Sequence, residues 1–382
     1  MDIKSRSPMQ LRHWHYWTSL TLCAVLIPVL RAQHLPLKFD WITLGVAYWL
    51  VLAAQSIFVA TILALIGLPG VWEPFVDRYR KNPIRIAIVF LYFGILLWAT
   101  TGMKPLVLTV DTIALLELRE RQRANGLRHP AVSVLVPAAY LFLGFLMVLG
   151  YNCAIVSARF NFAYDPALAA IDRFLLRGHS VSEFTHWAVG TFPPAFFRLL
   201  EFIYFGMFPQ IGATILLLAL RDGKKSALQF VGTILISYYL ALAIFYIWPS
   251  QGPYYLCLDH FSRFPANLQA FNIQKTLITH ALARWHHDPI ARIPTDYYIG
   301  LPCMHIAQPL VVMWFVRRWR RILIALAAYD VLLVAAVVLL EWHYFVDIVA
   351  GIFVAALAIT TTRGTVGRKA PQPVPAAPGT MR

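Results

Sequence analysis

ILIALAAYDVLLVAAVVLLEWHYFVDIVAGIFVAALAITTTR, residues 322–363, decides the fold. Ile322 to Leu340 holds one charged residue, Asp330, and Tyr344 to Thr361 holds one, Asp347. Each run is close to the roughly 20 apolar residues that a helix needs to cross a bilayer. Between them lies the polar turn Glu341-Trp342-His343. Arg320 and Arg321 stand before the pair, and Arg363, Arg368 and Lys369 stand after it. Basic residues at helix ends hold those ends on the cytoplasmic side. The stretch therefore reads as a membrane hairpin, with basic ends inside and the Glu341–His343 turn outside.

The rest of the chain has the same character. Of 382 residues, 59% are hydrophobic and 13% charged, against about 25% charged in ordinary soluble domains. A backbone in lipid must satisfy its own polar groups, which leaves helices or a closed barrel. The apolar runs are long and lack the alternation of barrel strands. The expected fold class is all-α, a polytopic transmembrane bundle. The net charge of +15 does not point to nucleic acid. The basic residues fall between apolar runs, where they orient helices and meet anionic headgroups.

Working outward, Leu301 to Phe315 reads as an inward helix closed by Arg317, Arg318, Arg320 and Arg321. Leu228 to Trp248 runs outward, and Arg198 to Leu220 runs inward to Arg221, Lys224 and Lys225. Ala131 to Tyr151 runs outward. Two long outer segments, Asn152 to Pro194 and Pro249 to Tyr298, complete a six-helix core over residues 131–361. Residues 1–130 supply N-terminal transmembrane or interfacial segments. There the basic clusters around Arg78 and Arg119 flank one apparent helix, so Pro105 to Leu118 is re-entrant or an earlier run does not span. Residues 362–382, rich in Pro and Ala, read as a disordered tail. No cleavable signal is evident, so the first helix is expected to stay as an anchor. The cysteines, Cys23, Cys153, Cys257 and Cys303, have no metal-ligand spacing, though Cys153 and Cys257 could pair outside. His286, His287 and Asp288 read as polar loop surface. No metal and no cofactor is expected.

Ionisable residues at membrane depth are costly and mark function. Two sit at outer helix starts: His305, in Leu301-Pro302-Cys303-Met304-His305, and His343, followed by Asp347 and Gly351. A topology drawn from positive charge alone puts both histidines on one face of the membrane. His343 and Asp347 are spaced i, i+4, which on a helix puts them on one face. The carboxylate can then fix the imidazole tautomer and leave the other nitrogen as a nucleophile. His305 can act as acid and base, and helix N-termini offer N–H groups to a phosphate. Asp165, Asp172 and Glu201 either line the site or cap helices.

These residues resemble the type-2 phosphatidic acid phosphatase superfamily, and within it the inositol phosphorylceramide synthase branch. Tyr298-Ile299-Gly300-Leu301-Pro302-Cys303-Met304-His305 stands against a Pro-Ser-x-His motif. His343-Tyr344-Phe345-Val346-Asp347-Ile348-Val349-Ala350-Gly351 stands against His-Tyr-x-x-Asp-x-x-x-Gly. Weaker likenesses are residues 170–176 and Pro249-Ser250-Gln251-Gly252-Pro253-Tyr254-Tyr255. The resemblance covers about residues 131–361. It implies a lipid phosphatase or phosphotransferase in which His343 attacks phosphorus, Asp347 orients it, and His305 protonates the leaving oxygen and then activates the acceptor. The implied partners are a lipid phosphate or phospholipid substrate and membrane lipids.

Three departures stand out. Cys303 replaces the motif serine, and a thiol is a weaker donor to phosphate than a hydroxyl. Val337 stands where the larger superfamily has an arginine six residues before the nucleophile. Pro249 to Tyr255 contains no Lys or Arg. The inositol phosphorylceramide synthase branch also lacks that arginine. The phosphate must then meet another cation among Arg173, Arg177, Arg263, Lys275, Arg284 and Arg292. Arg173 and Arg292, with Cys303 and Tyr254, are the candidates for substrate contact. Two rival readings accompany this one: a non-catalytic lipid-phosphate binder or transporter on the same scaffold, and an acyltransferase built on Cys303. The active site is expected on the non-cytoplasmic face of a bacterial inner or plasma membrane.

Overall fold

The computed structural model describes residues 130–159, 164–256 and 299–363, and parts of 18–28, 53–67 and 268–275. Among these there is no strand, as the unbroken apolar runs require. Ten helices follow in order: α1 (Pro130–Arg159), α2 (Asp165–Leu175), α3 (Val181–Thr191), α4 (Pro194–Phe205), α5 (Phe208–Arg221), α6 (Lys224–Ile247), the single turn α7 (Pro253–Leu256), α8 (Met304–Val316), α9 (Arg320–Leu339) and α10 (Phe345–Arg363). Four contain segments long and apolar enough to cross a membrane, namely Ser133–Asn152, Lys224–Ile247, Arg320–Leu339 and Phe345–Thr362, and α4 with α5 can supply a fifth crossing, bent by 43°. The chain is an integral membrane protein.

α6 is the central helix. About two thirds of its apolar window is enclosed by protein, against one third for α1 and α9. It packs on α1, α5, α8 and α10. Close approach to α1 depends on Gly144, where a Cβ would overlap the Leu235 side chain, and Phe145 meets Tyr238 edge-on across the same seam. α9 leans on α4 and α8. Its Ile324, Val331 and Leu332, with Val349, Ile352 and Phe353 of α10, remain exposed, as a lipid-facing surface requires. The helical residues Gln55–Ala64 and Gly67 lie against the same body: a Cβ on Gly212 of α5 would overlap Ser56, and one on Gly67 would overlap Ile322.

The two ends of the bundle differ. At one, Arg221, Lys224, Lys225, Arg317, Arg318, Arg320 and Arg321 gather at helix termini. Arg318 pairs there with Asp222 and lies over the Trp319 ring. At the other, α6 gives way to Pro249–Gly252, α8 begins, and α9 turns into α10. The two outer helices α2 and α3 cover this second end. α3 starts at Ser180, whose Oγ accepts from the Glu183 N–H. α2 places Ile171, Phe174 and Leu175 in the open while burying Asp165, Leu168 and Asp172.

Two boundaries differ from the sequence reading. The α8 helix begins at Met304, with Cys303 as its N-cap in extended conformation, so residues 301–303 lead into it. Its 13 residues span about 20 Å, short of a bilayer core of roughly 30 Å. α10 begins at Phe345, which leaves His343 in the turn. The expectations for Pro105–Leu118, the 78–123 basic clusters, the Cys153–Cys257 pairing, His286–Asp288 and the tail beyond 363 fall outside the described residues.

Candidate active site

The turn that carries His343 is built by a regular helix ending. The Glu341 N–H donates to the Val338 carbonyl and the Trp342 N–H to the Val337 carbonyl. This is the Schellman pattern, which puts its C′ residue in the left-handed region. Glu341 occupies that position with φ 56°, where glycine is the usual choice. Its side chain is buried, and burial pushes its pKa up to about 7. The reversal delivers Trp342 and His343 to the mouth of α8.

α10 then starts with its N–H groups already occupied. The Asp172 carboxylate of α2 accepts from the Phe345 N–H at 2.7 Å and the Val346 N–H at 2.8 Å. Asp347 Oδ2 reaches back to accept from the Tyr344 N–H at 2.9 Å, one half of a capping box. The expected offer of free N–H groups to a phosphate at this helix does not hold, because a distant carboxylate takes them. α8 has no side-chain cap of that kind. Asp165, seven residues before Asp172 on the same buried face, accepts from the Gln251 and Gly252 N–H groups and from the Tyr344 hydroxyl. Burial pushes Asp165 up to about 6 against those donors. Both aspartates therefore act as local architects at this end. Glu201 accepts from the Ala270 N–H, which is the capping alternative for that residue.

His343 is fixed by its surroundings. Its Nδ1 lies 2.7 Å from the Gly300 carbonyl oxygen and 3.4 Å from Asp347 Oδ2. A carbonyl can only accept, so Nδ1 carries the proton and, in the neutral ring, Nε2 holds the lone pair. The nearer acceptor is thus a backbone oxygen that the motif comparison did not single out. The i, i+4 spacing brings His343 and Asp347 together, but through a turn and a cap rather than along one helix face. Burial alone would lower the His343 pKa. The neighbouring Cys303 sulfur and the Asp347 carboxylate outweigh it and push the ring up to about 10.

Three close backbone approaches hold this arrangement. The Cys303 N–H donates to the Asp347 carbonyl at 2.9 Å. A Cβ on Gly351 would overlap the Cys303 carbonyl oxygen. One on Gly300 would overlap the Ser250 backbone. Gly351 and Gly300 let α10, the α8 entry and the 249–252 turn meet without a side chain between them.

His305 faces His343 with ring centroids 5.6 Å apart. It stacks on Tyr204 of α4 at 4.1 Å, and Tyr204 stacks in turn on Trp342 at 5.2 Å. Neither His305 nitrogen has a hydrogen-bond partner among the described residues. The same holds for the buried amide of Gln308 and for that of Gln251. Tyr254 is buried and meets Trp342 edge-on. Tyr204, Trp342, Gln308 and the Gly300 carbonyl carried no signal that sequence reading could use.

The structure thus brings His305, His343, Asp347, Cys303 and Tyr254 together and leaves the cations apart. Arg173 on α2 is exposed, and so are Arg177 beyond that helix and Lys275. Arg292, Arg263 and Arg284 lie outside the described residues. Every lysine and arginine whose side chain is described lies exposed. The described centre offers imidazoles, a thiol, amides and aromatic rings.

A helical membrane bundle with two converging imidazoles at one end agrees with what comparison with known proteins returns. A family model described as the PAP2 superfamily matches residues 166–361. The chain belongs to that superfamily, whose members are phosphatases. Neither the curated proteins nor the solved structures give a match.

Proposed function

We propose that the chain is an integral-membrane lipid phosphatase or phosphotransferase that works through a phosphohistidine on His343. The observation that carries this reading is the His343 ring, with Nδ1 held by the Gly300 carbonyl and His305 across from it at 5.6 Å. In the first step Nε2 attacks phosphorus, the Nε2–P bond forms, and the bond to the leaving oxygen breaks. His305 gives that oxygen a proton. In the second step His305 takes the proton of the acceptor, whose oxygen attacks phosphorus and releases His343. Asp347 and Gly300 hold the ring and balance its charge as it becomes cationic.

Water as acceptor makes the enzyme a phosphatase. A lipid alcohol or polyol makes it a transferase of a phospho-alcohol headgroup, as in the inositol phosphorylceramide synthase branch. The absence of a buried Lys or Arg among the described side chains supports that branch, which lacks the superfamily arginine at the position of Val337. The positive charges at the opposite end of the bundle support a site on the non-cytoplasmic face, in a bacterial inner or plasma membrane.

The test is turnover of lipid phosphates by pure protein. His343→Ala should lower kcat by at least about 10⁴-fold, the scale seen when a nucleophile is removed. Retained turnover would rule the mechanism out. The same lack of a described central cation also favours a second reading, a binder or transporter of lipid phosphates. Saturable lipid-phosphate binding without turnover, across lipid phosphates and alcohol acceptors, would select it.

A further inference from the structure

We infer that Cys303, His305 and His343 form a binding site for a thiophilic transition-metal ion of the Zn²⁺ class, and that its occupancy switches off phosphoryl transfer. The second half rests on the function proposed above; the first does not. One ligand atom from each of the three side chains lies within 4.8 Å of the others. Zinc bonds of about 2.0–2.3 Å to nitrogen and sulfur set donors roughly 3.5 Å apart, so side-chain movements on the order of 1 Å close the site. The set is one sulfur and two imidazoles, which selects Zn²⁺ or Cu⁺ over Mg²⁺ or Ca²⁺. Three protein ligands leave a fourth position open.

The surroundings fit a metal as well as the ligands do. The Nδ1–H of His343 donates to the Gly300 carbonyl, the outer hydrogen bond that metal-ligating histidines usually make. That bond leaves Nε2 for the ion. Both His305 nitrogens lack partners among the described residues, so either can turn to a metal. Binding breaks the Cys303 S–H bond and the Nε2–H bond of the charged His343 ring, forms metal–sulfur and metal–nitrogen bonds, and releases both protons to solvent. A dication and one thiolate leave a single positive charge. Asp347 stands beside it, buried, with Oδ1 unpartnered. Cys303 itself is fully buried at the N-cap of α8. The inhibition follows from geometry: a metal on Nε2 of His343 occupies the lone pair that attacks phosphorus. Serine at position 303 would remove the soft ligand, so the site depends on the residue in which this chain departs from the family motif.

The experiment is a Co²⁺ titration of the chelator-treated full-length protein in detergent. One Co²⁺ per chain should bind and give the thiolate-to-metal absorption of a sulfur-ligated ion, with Zn²⁺ displacing it. The absorption should vanish in Cys303→Ser. In turnover, Zn²⁺ should inhibit the wild type, and Cys303→Ser, measured against its own metal-free rate, should need at least about 100-fold more, since a direct ligand outweighs an outer one. If Cys303→Ser does not fold, X-ray absorption of the Zn²⁺-loaded wild type should show one sulfur and two imidazole nitrogens. Absence of the sulfur band, its survival in Cys303→Ser, or a shell of oxygen and nitrogen alone overturns the site. Sulfur-ligated Co²⁺ in a chain that forms no phosphohistidine supports the metal site and removes the enzyme. Phosphohistidine without sulfur-ligated Co²⁺ does the reverse.

Discussion

At the scale of single residues, the state of His343 sets the expected pH behaviour. Attack needs Nε2 without a proton, and the ring holds its proton up to about 10. Because the first step also needs His305 charged as the acid, kcat/KM should stay level while one proton is shared between the two rings and fall on the alkaline side, toward about 10, where both rings have lost theirs. Asp347 is one of the negative neighbours that favour the charged ring. Asp347→Asn should move the falling alkaline limb to lower pH while lowering the maximal rate; a limb that stays or moves upward contradicts the assignment. Asp172 acts one step further out. Asp172→Ala strips the Phe345 and Val346 N–H groups of their acceptor, a loss of about 0.5–2 kcal/mol for a helix cap. Thermal unfolding should occur at lower temperature and kcat should fall more than KM changes. Asp172→Asn, which keeps one acceptor oxygen, should recover part of both, whereas equal loss in the two variants would contradict a capping role. His343, Asp347 and His305 were legible because their spacing and membrane depth single them out. The role of Asp172 was not, because it lies in contacts to backbone 173 and 174 residues away, which no local pattern encodes.

At the scale of elements, the site is where α8 and α10 meet on bare backbone. Gly351→Ala places a methyl group on the Cys303 carbonyl oxygen, and a carbonyl held by the chain cannot yield as a flexible side-chain tip does. The two helix starts should separate enough to misplace His305 against His343. Misplacement of about 1 Å can cost on the order of 100-fold in rate, so kcat should fall by that scale while the protein still inserts. A wild-type rate in Gly351→Ala would show that this packing does not position the rings. The helix runs themselves were readable from hydropathy. Their exact starts were not: α8 begins after the extended Cys303 and α10 where the distant Asp172 caps Phe345 and Val346, and hydropathy is blind to both. The bend between Phe205 and Phe208 was likewise hidden inside one apolar run, Arg198 to Leu220.

At the scale of the whole molecule, charge and chemistry lie at opposite ends. The hairpin from Ile322 to Arg363 already implied this, because its basic termini and its polar turn cannot share a side. A cysteine introduced at Lys225 should be labelled by an impermeant thiol reagent from the cytoplasmic side alone, and one at His179 from the opposite side alone. Both positions are exposed. Labelling from a shared side would overturn the orientation. Less of the substrate chemistry was readable. The sequence offered several cations for the phosphate, and those that can be followed are exposed on the surface, while Tyr204 of α4 and Trp342 of the α9–α10 turn, far apart in the chain, stack together beside the histidines.

The account stands on His343 presenting Nε2 to phosphorus while Nδ1 is tied to the Gly300 carbonyl. Rapid quenching of the full-length protein with a labelled lipid phosphate, followed by mass-spectrometric mapping under alkaline conditions, tests this directly. It predicts one phosphoryl group per chain, on Nε2 of His343. A phosphoryl group on Nδ1, on His305, or on neither histidine during undiminished turnover would contradict it.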